Sequence, residues 1–500
     1  MTLRPLSVSE LRSSLPARRA TLSELLLVYL MAVTAFGYFA GTWQDANTYS
    51  RLSLVMALTQ EHRFEIDTPQ LADAWQQFRT ADRSFYNGHY YSDKAIGSSL
   101  LGAMAWAPVH ALLPSTDTTV ELRVFKVLAT FLGVSLVAAL LAPMVYGFVT
   151  GVAGSRQGLL VTSAIVFGTS IFKYSTGFYG HVSAAVCLLA GVLIWFDAKH
   201  RRHLSGLQVF ASCALAGFMV VIEYPTAVLA LVLGGYMLLV LRDLGRLRDW
   251  RVYVVGASAV ALAVSPLLYY NFAVYGSPFT TGYQHHATVK FAAAHSQGLA
   301  GIGPPDPVVM FAMTLHPLMG IFWQSPVLLL AIPGWLTMRA THRTEAWFSF
   351  TAILVYVALI SGYYEWSGGL AYTPRHLIPV LPMFAIPLAF LPRRWMPIAW
   401  GLAGLSIVQH LIAAAGREDW VVRLIRSTLD ASGHPSMHFT STIWTVIWPN
   451  MRHGMFLKNR GTMLLPDGFL SLLPLLLLEA VLVVMVIRRA GQIDRSTVTP

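Results

Sequence analysis

Apolar runs of bilayer-spanning length recur from Leu22 to Ile487, and nothing else in the sequence constrains the fold as strongly. A hydrocarbon core about 30 Å thick needs roughly 20 helical residues to cross it. Hydrophobic residues make up 55% of the 500 positions and charged residues only 12%, against about a quarter in soluble proteins. The chain therefore reads as an all-α polytopic membrane protein.

The net charge of +11 has a simple source. Lys and Arg fall in short clusters between apolar runs, as the positive-inside bias requires, and not on one basic face, so the footprint of a nucleic-acid-binding protein is missing. Cys187 and Cys213, the two cysteines, lie inside apolar runs and read as small buried hydrophobes, with no disulfide framework or zinc site implied.

Arg4, Arg12, Arg18 and Arg19 precede a first span at about 22–41, which sets the N-terminus on the cytoplasmic side and keeps that span as an anchor. The segment Ile96–Leu113 is apolar but broken by Gly97, Gly102 and Pro108. Counting it as a span would put Lys199–Arg202 and Arg242–Arg251 outside, against the charge bias, so it reads as an interfacial or re-entrant helix. Further spans are then expected at 122–150, 158–175, 180–197, 205–222, 226–241, 253–275, 319–338, 347–364, 376–391, 396–414 and 469–487, about twelve in all, with both termini cytoplasmic. The loops holding Arg156, Lys199–His203, Arg242–Arg251, Arg339–Arg343, Arg393-Arg394 and Arg488-Arg489 then fall on the cytoplasmic side. Three long polar segments, 42–121, 276–318 and 415–468, fall on the other, and loops of that length usually carry function. The expected organisation is a transmembrane module over 1–414, an external loop over 415–468, and a last helix with its tail over 469–500.

The polar island from Trp43 to Lys94 carries the most chemistry. Asp45, just past the first span, can act as a general base toward an acceptor hydroxyl. It can equally be, with Asn47, an N-cap of the amphipathic helix that carries Arg51, whose apolar side is Leu52, Val55, Met56 and Leu58. Lys94, after Tyr90, Tyr91, Ser92 and Asp93, suits a lipid phosphate at headgroup level, or simply snorkels. His181 and Glu223, near the outer ends of their spans, either line the site or make a satisfied polar contact between helices. Arg375 in EWSGGLAYTPRHLIPVLP stands where the charge bias disfavours a cation, so phosphate gripping is its preferred reading; Trp366 beside it is an interfacial aromatic. Tyr283 is a candidate for stacking on a sugar or for anchoring at the interface. The neighbouring His285 and His286 cannot easily share one ion, and with no DxD or HExxH pattern neither a metal nor another cofactor is predicted.

Taken together, NxxxR from Asn47 to Arg51, TxDxS around Asp82, GHYYSDK ending at Lys94, and GGxxxxPRxLIPxLP around Arg375 resemble the GT-C superfamily of integral membrane glycosyltransferases, which includes lipid A aminoarabinose transferases and protein O-mannosyltransferases. The resemblance covers about residues 20–390 and lies with a bacterial branch whose substrates are mostly unassigned. Asp93-Lys94 matches the acid and lysine of a YxEKPP-like motif, but Ala95-Ile96 stands where a proline pair is usual. The resemblance implies an inverting transfer, on the extracytoplasmic face of a bacterial inner membrane, of a sugar from a polyprenyl-phosphate carrier to a glycan, lipid or protein acceptor. Asp45 would be the base and Asp82 its rival. Lys94 and Arg375 would hold the donor phosphate, with Arg51 orienting the acid or touching phosphate; Asn47, Tyr91, Asp93, His181, Glu223, Tyr283 and Trp366 would line the substrates. Two alternatives stay open. An O-antigen ligase or polymerase using a lipid diphosphate would exploit Arg417, Arg423, Arg426 and Arg452 in the last external loop. A lipid-linked-sugar flippase would place its charges at mid-membrane and show related halves, which this sequence does not.

Overall fold

The computed structural model describes residues 19–67, 80–112, 118–298, 300–430, 433–436 and 440–496; Arg4, Arg12 and Arg18 lie outside them. The protein is a multi-pass membrane protein, helical but for one short hairpin among the described residues. Among the described residues, eight helices are long and apolar enough to cross a membrane: α1 (Leu22–Phe39), α2 (Glu121–Ala153), α3 (His181–Arg201), α4 (Tyr224–Asp243), α5 (Trp250–Tyr275), α6 (Arg343–Ser361), α7 (Arg393–Ala415) and α8 (Phe469–Gln492). Each coincides with an expected span.

The other four expected spans are shorter or interrupted. The segment 205–222 forms a 17-residue helix, Gly206–Ile222. The segment 158–175 splits into Ser155–Val166 and Ile171–Tyr174, and 319–338 breaks between Gln324 and Pro326. The segment 376–391 begins as a 3-10 helix, Arg375–Phe384, and continues as Ala385–Leu388; Pro379, Pro382 and Pro387 withdraw the N–H groups that a regular α-helix there would need.

Lipid exposure is written on the helices. α5 and α8 present Val254, Leu262, Tyr269, Phe272, Leu477, Val481 and Ile487 outward, whereas α3 buries most of its length. α3 packs on Gly206–Ile222 and on Arg375–Phe384, Gly206–Ile222 packs on α5, and α1 packs on both α8 and the second half of α2.

The basic loops gather at one end of this bundle. Lys199 Nζ reaches Glu345 Oε1 at 2.7 Å and Asp243 Oδ2 at 3.3 Å, and Arg19, His200, Arg201 and His342 wall one cavity there. Arg489 bonds Ser23 across α8 and α1. Asp45 lies past the far end of α1, about 27 Å along the helix axis from that cluster.

The first polar loop folds onto the opposite end around its own apolar cluster of Leu52, Val55, Ile66, Tyr91, Ile96, Trp106, Phe125, Tyr270 and Tyr275. Its helix Ala46–Met56 is followed by a hairpin, β1 (Ser84–Tyr86) with β2 (His89–Tyr91), in which Phe85 faces Tyr90. Asn87 and Gly88 both take positive φ, the turn that matches the twist of a two-residue hairpin. The broken apolar segment becomes helix Gly97–Leu112, 16 residues and about 24 Å long, packed on Ala46–Met56 and on the first half of α2.

Candidate active site

Two cavities of about 430 Å³ each open at this end and share Gly369, Leu370 and Arg375. The first contains Lys94; the second contains Asp45.

In the Lys94 cavity the hairpin delivers Asp93 and Lys94, which follow its last residue Tyr91 after Ser92. Lys94 Nζ lies 2.9 Å from Asp82 Oδ2 and 2.9 Å from Asp93 Oδ2, and 5.6 Å above the ring of Tyr283. Burial alone would raise the pKa of the Asp82 carboxyl, but the Lys94 charge and hydrogen bond, with Arg375 and His286 behind them, hold it below the usual carboxylate range. Burial would likewise depress Lys94, yet its two carboxylate neighbours outweigh that and its pKa is raised. The ammonium is locked in its charged form. Asp93, buried, also accepts from Ser50 Oγ at 3.3 Å and faces His286 Nε2 at 3.7 Å, a histidine whose pKa burial lowers.

Deeper in the same cavity, Arg51 donates to Glu223 Oε1 at 2.6 Å, and His181 Nδ1 lies 3.3 Å from the same oxygen. His181 and Glu223 both line this cavity and touch each other. Several donors and acceptors around this space are buried without any partner: Asn47 Oδ1, Arg51 Nε and Nη1, His181 Nε2 and Arg375 Nε. Buried polar atoms are normally paired, so a wall of orphans marks a surface shaped for something polar.

In the second cavity Asp45 does what an N-cap does. Its Oδ1 accepts from the Thr48 N–H at 3.0 Å, and Thr48 Oγ1 accepts from the Asp45 N–H at 2.8 Å, a capping box that starts Ala46–Met56. Its Oδ2 meanwhile accepts from Tyr179 Oη at 2.5 Å and from Arg375 Nη1 at 3.0 Å, and the side chain stays 39% exposed to the cavity. Capping and site-lining are compatible because the two oxygens divide the work. Lys173, buried beneath, bonds the Ala413 carbonyl at 2.7 Å and pairs with Glu418.

Arg375 is held by its own loop. Gly368 and Gly369 take φ of +70° and +77° and wrap the guanidinium; a Cβ on Gly368 would come within 2.7 Å of Arg375 Cγ. Glu365 Oε1 accepts the Gly369 N–H at 3.0 Å, and burial raises the Glu365 pKa.

Of the residues expected at the site, Asp82, Lys94, Arg375, Arg51, Asn47, Asp93, His181, Glu223 and Tyr283 line the Lys94 cavity, and Asp45 lines the adjoining one. Two do not reach either. Tyr91 turns into the apolar cluster of the first loop, where burial and Glu65 push its pKa up to about 12, and Trp366 is buried in the main core. As the residue before Ser92, Tyr91 lies on the core face of an alternating strand, which its position in HYY encodes. Sequence reasoning passed over Tyr179, Lys173, Glu418, His376, Lys290 and the tyrosine pair 363–364, all of them cavity walls. Tyr179 stands two residues before His181, a signal that was available; Glu418 and Lys173 are brought together only by the fold. His285 stacks on Tyr275 at 5.2 Å while His286 faces Asp93, so the two adjacent histidines serve different neighbours.

No protein-family model and no curated protein matches the chain. Among solved structures it is similar to two of ArnT from Cupriavidus metallidurans. One has undecaprenyl phosphate bound, with 14% identity, a TM-score of 0.48, and coverage of 82% of this chain and 66% of that one. The other is in the apo state, with 16% identity, a TM-score of 0.46, and coverage of 78% and 64%. The chain spans just under two thirds of the length of each.

Proposed function

We propose that the protein is an integral membrane glycosyltransferase of the GT-C type, moving a sugar from a polyprenyl-phosphate carrier to an acceptor on the extracytoplasmic face of a bacterial inner membrane. One observation carries the reading: Arg375 is a wall of both cavities, with a charged lysine on one side and an accessible carboxylate on the other. A transfer between two substrates needs that layout.

In this reading the donor phosphate lies in the Lys94 cavity, and Lys94 and Arg375 stabilise the negative charge that grows on it as the carrier leaves. Asp45 accepts the proton of the acceptor hydroxyl, whose oxygen attacks the anomeric carbon from the opposite face; the outcome is inversion. Asp45 is preferred to Asp82 because, although each carboxylate is paired with a cation, the Asp45 side chain is the more exposed, at 39% against 22%. Glu223 orients Arg51 and His181 on the donor side.

A diphosphate donor is a second reading. It is favoured by exposed Lys290 and Arg426, which add positive charge to the walls of the Lys94 cavity.

Binding of sugar-free polyprenyl monophosphate and diphosphate to purified protein in nanodiscs tests the donor side. Lys94→Ala and Arg375→Ala are each expected to weaken monophosphate binding by about tenfold or more, as loss of a charge-assisted bond should. Unchanged affinity in both variants would remove the clamp.

A further inference from the structure

The Asp45 cavity has a wall from the last external loop, a part of the chain that the sequence resemblance does not reach. Arg417, Glu418, Asp419 and Trp420 line it, facing Trp43 and Asp45. This turn is built rigidly. The Asn450 amide donates to the carbonyls of both Arg417 and Asp419, at 3.0 and 2.9 Å, Arg417 N–H bonds the Met455 carbonyl, and Glu418 pairs with buried Lys173. Arg417 closes a two-pronged bond onto Asp419.

Held by these bonds, Trp420 adopts φ +77°, a left-handed conformation that a bulky side chain takes only when its surroundings impose it. The result is an indole that is 55% exposed at a cavity wall, with Arg423, which is not one of the cavity's walls, 4.3 Å from its ring centroid. Trp43 also lines the cavity, its ring packed on Tyr174 and Tyr179 and 4.9 Å from the ammonium of Lys173, which is itself a cavity wall.

Two indoles stand around about 430 Å³ with three carboxylates, each paired with a cation of the same cavity: Asp45 with Arg375, Glu418 with Lys173 and Asp419 with Arg417. Aromatic faces among fixed charged groups are the chemistry that recognises a sugar ring. The C–H face of a pyranose packs on an electron-rich aromatic face, and carboxylates accept from its hydroxyls. A peptide would ask for backbone partners and a lipid for an unbroken apolar lining; neither describes this cavity. We propose that the Asp45 cavity is a saccharide subsite with Trp420 as its platform. Resting on the reading of the protein as a glycosyltransferase, this makes the acceptor a glycan, one of whose hydroxyls Asp45 would activate.

The test is saturation-transfer NMR on the full-length protein in nanodiscs. The probes are linear tetrasaccharides of glucose, galactose, mannose and N-acetylglucosamine, with a serine/threonine-rich peptide and a short-chain diacylglycerol as rivals. At least one tetrasaccharide is expected to bind, Trp420→Ala to weaken it by about tenfold, and Trp420→Phe to stay within about threefold of wild type. Binding of no tetrasaccharide, binding of only a rival, or equal affinity in Trp420→Ala would overturn the proposal. Polyprenyl-phosphate binding is measured on the same samples. Its failure with saccharide binding intact would sink the transferase reading and leave the saccharide subsite standing.

Discussion

Lys94 shows how the residues of this site constrain one another. Its ammonium sits between two carboxylates in a largely buried setting, so breaking the pair costs more than an exposed ion pair would; loss of one partner of a buried pair typically costs about 3–5 kcal/mol. The pH dependence follows from the two shifts. Asp82, with its folded pKa lowered, contributes stability that is complete above the unfolded carboxyl value near 3.9 and fades as pH falls through the folded one. Lys94, with its folded pKa raised, contributes below about 10.4 and fades as pH rises through its higher folded value. The gap in melting temperature between wild type and Asp82→Asn should therefore stay level from about pH 5 to pH 9 and narrow on either side. A gap that changes steadily across that window would mean the pair is not formed. At this scale the sequence was informative about which residue types matter and poor about their partners. Asp45 could be read as cap or as base, and the fold shows the cap through Oδ1 while Oδ2 bonds Tyr179 and Arg375 at the cavity; no spacing rule links Asp45 to Tyr179, or Glu418 to Lys173, because those neighbours meet only after long-range packing.

Among the elements, helix Gly97–Leu112 decides how the first loop is seated. Its Gly97 lies so close to Gly206–Ile222 that a Cβ there would meet the Val221 carbonyl oxygen at 2.7 Å and the Ile222 nitrogen at 2.8 Å, both backbone atoms that cannot swing aside. Gly97→Ala should lower the melting temperature in detergent by the equivalent of about 1–3 kcal/mol of overpacking. Gly151→Ala, in the open on α2, should be neutral or slightly stabilising, since alanine is the better helix former. Equal effects would show that the close approach does not exist. The apolar pattern located all eight long helices, whose length and composition are local properties. It overstated the continuity of 158–175, 319–338 and 376–391, where prolines and glycine-containing breaks act against runs that remain apolar. The hairpin Ser84–Tyr91 was legible in its Asn87-Gly88 pair but was not read, and it is the element that delivers Asp93 and Lys94.

For the whole molecule, the charge of the loops is the basis for the expected orientation. Arg19, Lys199, Arg201 and His342, distant in sequence, collect at one end, and both cavities open at the other. Single cysteines at Ser296 and Arg248 test this: with an impermeant maleimide on intact cells, Ser296→Cys should label and Arg248→Cys should label only after lysis. The reverse pattern would invert the topology. The proposed function rests on two cavities that share Arg375, with proton removal assigned to one and phosphate departure to the other. The most direct measurement is release of polyprenyl phosphate from a matched sugar donor by purified protein in nanodiscs, with acceptor present, comparing Asp45→Asn with Asp82→Asn. The prediction is a fall of at least about 100-fold in Asp45→Asn, the usual worth of a general base, with donor affinity within about threefold of wild type. Wild-type release by Asp45→Asn, with Asp82→Asn inactive, would contradict it and move the base to the other cavity.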